Sequence, residues 1–370
     1  MTGRERILAA LKREPHDRPT VMLWGLDPVT AGWMADFPSY RPLLDLIEDR
    51  VEFKIKWSID RSTFFSEDVP IQVEVARDGE DRKITTTRIT TPRGPISQQV
   101  KDVAGTMAGA TINYYIENDD DLDRWLSIPY VPFRPPVERF FELDRAAANR
   151  GIVTCRFPDP VGMISELFHP EDFLVRAITE PDRMKRLLDR AYLLIDGVVT
   201  HILKEGARPV LIFEGPEVAT PPMLSPKQFD WMVTPYLQNL IAKAHVSGCL
   251  VIVHCHGNLD AVLERFADMG ADAIHPVEAP PSGDITPAEF VKRVGQKLSM
   301  VGNIQIDALL HGQPEDMAAQ VRKLIRDGNS ANGLLISTTA TPYEIPLSEL
   351  TLNNYRALID TVFDHAGSGS

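Results

Sequence analysis

Two histidines separated by one residue, His254 and His256, are the strongest candidates for chemistry in this 370-residue chain. They stand at the end of an apolar run, 250–254, that is typical of a buried strand. Because side chains alternate between the faces of a strand, both histidines point the same way and Cys255 points the opposite way. Imidazole nitrogens bind divalent metals and also transfer protons near neutral pH. The pair therefore predicts either a metal site or an acid–base site.

A third histidine, His275, ends the next predicted strand and should lie beside this pair. Three imidazoles on neighbouring strand ends, with Glu214 or Glu217 nearby, form a donor set for one divalent metal ion. We predict His254, His256 and His275 as the ligands. Whether His275 or a glutamate completes the set stays open.

Three glutamates after predicted strands, Glu214, Glu217 and Glu278, are candidate catalytic residues. A carboxyl group serves as a general acid or base when burial raises its pKa. The alternative is that these side chains cap helices or form salt bridges, and the sequence favours neither role.

Five further residues near predicted strand ends are candidates for substrate contact. The tryptophans end the first two strands, although aromatic residues at such positions are more often part of the core. Asp27 serves equally well as a turn residue. The predicted set is Trp24, Asp27, Trp57, Asn303 and Tyr343.

Apolar runs that alternate with helical segments predict the framework that positions these residues. The runs after residue 150 are continuous rather than alternating, as expected for parallel strands buried on both faces. With two earlier runs, the predicted strands are 21–24, 53–57, 152–157, 210–213, 250–254, 273–275, 299–301 and 334–337. We therefore predict an α/β fold, a (β/α)8 TIM barrel, whose active-site face lies at the carboxyl ends of the strands.

The first half of the chain contains an insertion. Residues 83–91 are rich in Thr and Ile, and Pro92-Arg93-Gly94 follows them as a turn, which predicts an inserted β-hairpin. Because no long linker divides the chain, we predict one domain over residues 1–366. The sequence Gly-Ser-Gly-Ser at 367–370 has the composition of an appended tail.

Charge and composition exclude several classes of partner. The formal net charge of −13 disfavours nucleic acid and anionic membranes, although a local basic pocket could still bind an anion. No apolar run reaches the roughly 18 residues of a membrane span, and no apolar signal core follows the N-terminus. An odd count of three cysteines is typical of reduced thiols. We expect a soluble cytoplasmic protein that binds a small molecule.

Short motifs in the first twenty residues and in the second half follow a familiar order. They include His254-Cys255-His256-Gly257-Asn258 and the segments 4–7, 17–19, 215–217, 222–226, 270–273, 302–304 and 333–337. Together they resemble the uroporphyrinogen decarboxylase superfamily, which also contains zinc-dependent methyltransferases that work with corrinoid proteins. The resemblance implies a TIM barrel and favours a homodimer; it is thin from about residue 25 to 150.

The resemblance is closer to the methyltransferase branch than to the true decarboxylase. That enzyme grips the carboxylates of its tetrapyrrole through an arginine-rich segment, but residues 22–27 here contain no arginine. In the methyltransferases, zinc is bound by a His-x-Cys motif and a second cysteine near the last strand. His254 matches that histidine, His256 replaces the first cysteine, and the segment 337–340 contains no cysteine.

The sequence thus supports three hypotheses. The first is a metal-assisted methyltransferase or demethylase that acts with a corrinoid protein or folate on a small methylated substrate, with zinc as the first choice among divalent metals. The second is a metal-free decarboxylase or lyase of a small carboxylic acid, in which the same histidines and glutamates act as acid and base. The third is a barrel that binds a corrinoid or tetrapyrrole without chemistry.

Overall fold

The computed structural model describes residues 1–62, 64–79, 82–102 and 109–367. Its strands, numbered along the chain, are β1 Thr20–Val21, β2 Phe53–Trp57, β3 Ile71–Arg77, β4 Lys83–Thr91, β5 Gly94–Asp102, β6 Gly109–Asn113, β7 Gly151–Pro158, β8 Val210–Glu214, β9 Val251–His254, β10 Ala273–His275, β11 Ser299–Val301 and β12 Leu334–Ile336. Eight of them form one parallel sheet in the order β1-β12-β11-β10-β9-β8-β7-β2. This nearly closed sheet, with helices between its strands, confirms the predicted TIM barrel.

The helices surround this sheet or close its ends. They are α1 Gly3–Lys12, α2 Arg41–Arg50, α3 Asp119–Leu126, α4 Glu138–Ala147, α5 Pro160–Ser165, α6 Pro170–Thr179, α7 Pro181–Lys204, α8 Pro226–Met232, α9 Thr234–Val246, α10 Leu263–Asp268, α11 Pro287–Val294, α12 Ile306–His311, α13 Pro314–Gly328 and α14 Glu349–Gly367. Sequence signals set several of their ends. Thr286, for example, starts α11 with a reciprocal capping box to Glu289.

The first and second strands are the two edges of the barrel sheet, so a seam runs between them. β1 covers only Thr20–Val21, which is shorter than the predicted strand 21–24. Two carboxylates bridge the seam in place of backbone pairing. The amide of Val21 donates to Glu52 and the amide of Lys56 donates to Asp27, each at 3.3 Å.

The interior of the barrel is filled by apolar side chains and closed at its amino-terminal end by α1. Ile7, Ala10 and Leu11 of this helix pack against inward-facing residues of the strands, among them Ile152 and Ile252. Arg6, which is almost fully buried, pairs with Asp17 and with Glu52. The motif near the N-terminus therefore closes the base of the barrel, far from the mouth where chemistry is expected.

The predicted hairpin is part of a larger structure. β4 and β5 pair around the turn at Pro92-Arg93, as expected, and β3 and β6 extend them to a four-stranded antiparallel sheet in the order β3-β4-β5-β6. The sequence prediction missed the two outer strands, although Ile71, Val73 and Val75 alternate along β3 as in a strand. Ile89 and Ile96, at one end of this sheet, are buried against the barrel.

Two sequence expectations concern the chain as a whole. Among the described residues, no helix is long and apolar enough to cross a membrane. Of the predicted tail at 367–370, Gly367 is the last residue of α14. The remaining residues, 368–370, lie outside the described part of the chain.

Candidate active site

The residues after β9 alternate as the sequence predicts. The ring of His254 stacks on Trp24 inside the barrel, with ring centroids 5.0 Å apart. Cys255 is fully buried in the outer core, between sheet and helices. His256 returns to the inner side, where its ring lies 4.7 Å from that of His254 and nearly perpendicular to it. The two histidines therefore share the carboxyl-terminal mouth of the barrel.

A chain of hydrogen bonds fixes the proton positions on His254 and His275. Nε2 of His275 lies 3.0 Å from the carbonyl oxygen of Thr338, and the two Nδ1 atoms lie 2.8 Å apart. Burial, followed by the positive charge of neighbouring groups, lowers the pKa of both imidazoles well below the ordinary value, so both are neutral. Since a carbonyl can only accept, the proton of His275 is on Nε2, and its Nδ1 accepts from Nδ1–H of His254.

These hydrogen bonds leave Nε2 of His254 with a lone pair that no described residue uses. In this form an imidazole binds a metal or accepts a proton. The same hydrogen bonds also correct the prediction for His275. That residue is fully buried and has both ring nitrogens in hydrogen bonds within the protein, so neither is available as a ligand. His275 instead orients His254.

His256 is oriented by a carboxylate. Its Nδ1 lies 3.1 Å from Oε2 of Glu278, and the same oxygen accepts the amide of Gly257 at 2.9 Å. Burial lowers the pKa of His256, but the hydrogen bond to Glu278 and the charges of Glu278 and Glu217 outweigh it, and the net effect raises the pKa. With Nδ1 tied to the carboxylate, Nε2 is the atom that gains, loses or shares a proton. The acid predicted as catalytic, Glu278, thus acts through His256.

Glu217 is the glutamate whose chemistry is least constrained by partners. It lies in a short 3₁₀ helix, Pro216–Ala219, and burial raises its pKa. Its Oε2 is buried without a hydrogen-bond partner among the described residues. The chain reaches this position through Gly215, whose φ of 116° suits glycine, and a Cβ there would meet the Cα of Gly162 at 2.6 Å.

Glu217 and His256 face a cleft of about 730 Å³ between the barrel and the antiparallel sheet. Gln98 of β5 and Thr111 of β6 contribute from the sheet. Most of the other walls are apolar or aromatic: Tyr114, Phe168, Pro170, Phe173, Leu174, Val218, Pro221, Pro222 and Met223. An apolar cleft with a few converging polar groups is the usual form of a small-molecule site.

The side chains at this mouth are of the types that bind a divalent metal, but they are not arranged around a common metal position. Neutral imidazoles whose other nitrogen is hydrogen-bonded, together with a carboxylate, are ordinary ligands of zinc. His254 meets this condition through Nε2, and His256 meets it once its Nε2 loses the proton that the raised pKa favours. Glu217 supplies an unpartnered oxygen. Yet within the described residues no three His, Cys, Asp or Glu side chains are close enough to hold an ion. A metal here requires a movement of Glu217 or another ligand.

A second group of charged residues lines the other side of the mouth. Nζ of Lys54 lies 4.0 Å from the centre of the Trp24 ring, and the guanidinium of Arg156 lies 5.5 Å from it. Glu214 is paired with Arg156 and, at 3.4 Å, with Arg61. We call Lys54, Lys56 and Arg156 the lysine side of the mouth, and His254, His256, Glu217 and Glu278 the histidine side.

The substrate contacts predicted from the sequence are mostly placed elsewhere. Trp57 packs on Phe140 in the helix layer and so faces away from the mouth. Trp24 is inside the barrel but is covered by His275, whose ring centroid is 3.6 Å away. Asp27 is a turn residue that accepts the amides of the two loop residues 29 and 30.

The other two predicted contacts and one predicted acid also lie outside this cleft. Asn303 is half-buried after β11 and Tyr343 is about half exposed, and neither lines the cleft. Glu214 is committed to its two arginines and is not a free acid or base. Of the predicted site residues, only Glu217 and His256 line the cleft.

The sequence did contain a signal for the lysine side. In β2, lysines alternate with Phe53, Ile55 and Trp57, so the apolar face of the strand is the one that meets the helices. That alternation predicts that Lys54 and Lys56 face the barrel interior.

Comparisons with known proteins find a family match that includes the histidine side of the mouth. The family model described as Uroporphyrinogen decarboxylase (URO-D) matches residues 157–363, more than half of the chain. The uroporphyrinogen decarboxylase of Pseudoalteromonas translucida (strain TAC 125) is 24% identical over 163 residues, 42% of this chain and 42% of that protein. That of Prochlorococcus marinus (strain AS9601) is 29% identical over 149 residues, 39% of each chain. The alignments thus span about two fifths of the length of these relatives.

Among solved structures, a methyltransferase from Methanosarcina mazei is similar over 99% of both chains, with a TM-score of 0.63 and 18% sequence identity. At this identity the similarity concerns the fold.

Proposed function

Because the chain belongs to the uroporphyrinogen decarboxylase (URO-D) family, we propose that it is an enzyme whose active site is the cleft at His256. We propose further that it transfers a methyl group to or from a small substrate with the help of a divalent metal. Zinc is the first choice for this metal.

The observation that carries this proposal is that both histidines are hydrogen-bonded through Nδ1. Each has Nδ1 engaged by a neighbour, His275 for His254 and Glu278 for His256, which leaves both Nε2 atoms for a ligand at the mouth. Hydrogen bonds of this kind, which fix the tautomer and orientation of the ring, accompany most metal-binding histidines.

The metal would be held by His254, His256 and Glu217. When bound, it would act as a Lewis acid toward the group that carries or receives the methyl. The protein's own contribution is orientation and shielding. Glu278 and His275 fix the two rings, and the apolar cleft walls keep water from the methyl group.

The apolar cleft also supports a small substrate rather than a tetrapyrrole with many carboxylates. The methyl group would be exchanged with a corrinoid on a partner protein or with a folate. These carriers are part of the proposal.

A second candidate is a metal-free lyase or decarboxylase of a small carboxylic acid. Two observations favour it. His256 and Glu278 form an acid–base pair with a raised imidazole pKa, and Glu217 is a buried carboxyl beside the same cleft. In addition, the described residues contain no ready group of three ligands. In this mechanism, His256 Nε2 and Glu217 would deliver and remove the proton.

Metal content separates the two candidates. We would incubate the wild type and two variants with excess zinc, remove free metal by gel filtration, and measure bound metal by plasma mass spectrometry. We expect about one zinc per chain in the wild type and none in His254→Ala/His256→Ala. His275→Phe is the matched control, since it removes the orienting ring without removing a proposed ligand. It should keep the metal with an affinity about 10–100-fold lower.

Two results would contradict methyl transfer with metal. If the wild type retains no metal, the acid–base lyase becomes the leading function. If the double variant retains as much as the wild type, the metal is bound elsewhere. With the expected result, the next step is to assay methylated donors with a corrinoid or folate acceptor, using the double variant as the inactive control.

A further inference from the structure

The lysine side carries more positive charge than its neighbours neutralise. Four cations surround this part of the mouth, Lys54, Lys56 and Arg156 with Arg61 at its rim, and they face three carboxylates, Asp27, Glu166 and Glu214. The chain as a whole has a net charge of −13, so this local excess of cations runs against the average. Lys56 and Arg61 are exposed, whereas Lys54 is buried, and a buried positive charge is costly unless an anion offsets it.

Lys54 is the central residue of this group. Its side chain is only 6% exposed, and within the described part of the chain its ammonium forms neither a hydrogen bond nor an ion pair. The ammonium lies over the face of the Trp24 ring, 4.0 Å from its centre. Burial, followed by the charge of Arg156, lowers the pKa of Lys54 to about 7. Buried ammonium groups are normally paired, so the missing partner is the feature to explain.

Arg156 has a second unused donor at the same indole ring. One of its terminal nitrogens pairs with Glu214, but its Nε is buried and has no acceptor among the described residues. The carboxylates already present cannot serve these donors. Asp27 is occupied by the loop amides and by Thr30, and Glu214 is shared between two arginines.

The unused donors lie next to the proposed active site. The Trp24 ring that contacts Lys54 and Arg156 is stacked on His254, and His254 is 4.7 Å from His256, which lines the cleft. None of the lysine-side residues lines the cleft itself, so the ring of Trp24 is what joins the two sides of the mouth.

We propose that the lysine side is a carboxylate-binding subsite, in which Lys54 and Arg156 Nε bind a carboxylate group of the substrate. The subsite depends on the proposed function only because both use the same barrel mouth. It limits the class of substrate to small acids with an apolar body. The cleft walls contact that body, and the carboxylate supplies the acceptor that both cations lack. The indole of Trp24 excludes water below it, so charge-assisted hydrogen bonds there are strong.

Binding of two matched probes tests the subsite without any catalysis. Benzoate and benzamide have nearly the same shape, but only benzoate is charged. We would measure their dissociation constants by calorimetry, in the presence of a chelator so that bound metal plays no part. We expect benzoate to bind the wild type at least ten-fold more tightly than benzamide.

The variants assign that preference to Lys54. Lys54→Met removes the buried charge, and it should fold, because replacing a buried unpaired charge with an apolar side chain is seldom destabilising. We expect it to lose the preference for benzoate while benzamide binding stays within about two-fold. Lys292→Met, which removes an exposed lysine of α11, is the control for net charge and should behave as the wild type.

The outcomes are decisive in either direction. Equal binding of the two probes by the wild type, including no binding of either, would overturn the subsite even if Lys54→Met failed to fold. A preference that survives in Lys54→Met would also overturn it. Because the chelator removes metal, a failure of methyl transfer would leave this result unchanged, and the reverse also holds.

Discussion

The two sides of the barrel mouth differ in how completely their polar groups are partnered. On the histidine side, each Nδ1 has an acceptor and each ring has one orientation. On the lysine side, Lys54 and Nε of Arg156 have no acceptor among the described residues. Although Oε2 of Glu217 has no partner on that side, the two rings are fixed before a ligand arrives, which suits chemistry. An unpartnered side gains its missing contacts only from a ligand, which suits recognition.

The two sides also differ in origin. The histidine side lies wholly within residues 157–363, the segment that the URO-D family model matches, whereas Lys54, Lys56 and Arg156 precede it.

Trp24 joins the two sides, and its removal should have the largest effect. The ring is buried and contacts His254, His275, Lys54 and Arg156. Trp24→Ala should lower the free energy of unfolding by about 3–5 kcal/mol, because it leaves a cavity under both sides. Urea denaturation measures the loss. Trp24→Phe, which keeps an aromatic ring, should lose clearly less. A loss below about 1 kcal/mol for Trp24→Ala would show that the sides are independent.

Removal of Glu278 should have an intermediate effect that is confined to the histidine side. Glu278→Gln keeps the shape of the side chain and removes the charge that raises the pKa of His256. We therefore expect this pKa to fall below that of the wild type in an NMR titration. An unchanged pKa would mean that Glu217, rather than Glu278, controls the protonation of His256.

The stability difference between the wild type and Glu278→Gln should depend on pH. Because folding raises the pKa of His256, its contribution is fully present below the ordinary imidazole pKa of about 6.5 and is lost as the pH rises through the folded value. The difference in unfolding free energy between wild type and Glu278→Gln should therefore shrink as the pH rises. Since His256 is partly exposed, we expect it to be about 1 kcal/mol or less.

The smallest effect is expected for Arg61, at the exposed rim of the lysine side. Its side chain is 50% exposed, and its contact with Glu214 is long, at 3.4 Å. Arg61→Ala should change the free energy of unfolding by less than about 1 kcal/mol, and added salt should reduce the difference further. Denaturation at low and high salt checks this. A larger loss would mean that Glu214 depends on Arg61 as well as on the more buried Arg156.

The sequence predicted the barrel well and the antiparallel sheet only in part. All eight barrel strands lie within a few residues of their predicted positions, because strands buried on both faces need continuous apolar runs. β3 was missed although Ile71, Val73 and Val75 alternate along it. β6 is held by backbone pairing with β5 and has little pattern in its side chains.

Strand alternation and strand order were enough to bring His254, His256, Glu217 and Glu278 to one mouth, since both follow from the local pattern of the chain. Which of these groups are free was decided by tertiary contacts. The Thr338 carbonyl, 63 residues from His275, takes the proton of that ring and removes it as a ligand. Likewise, Lys54 becomes a candidate anion contact only because the barrel encloses it beside Trp24 and Arg156 without a carboxylate of its own. Hydrogen-bond partners distant in sequence leave no mark on local spacing, and so the chemistry available at each residue is a property of the folded chain.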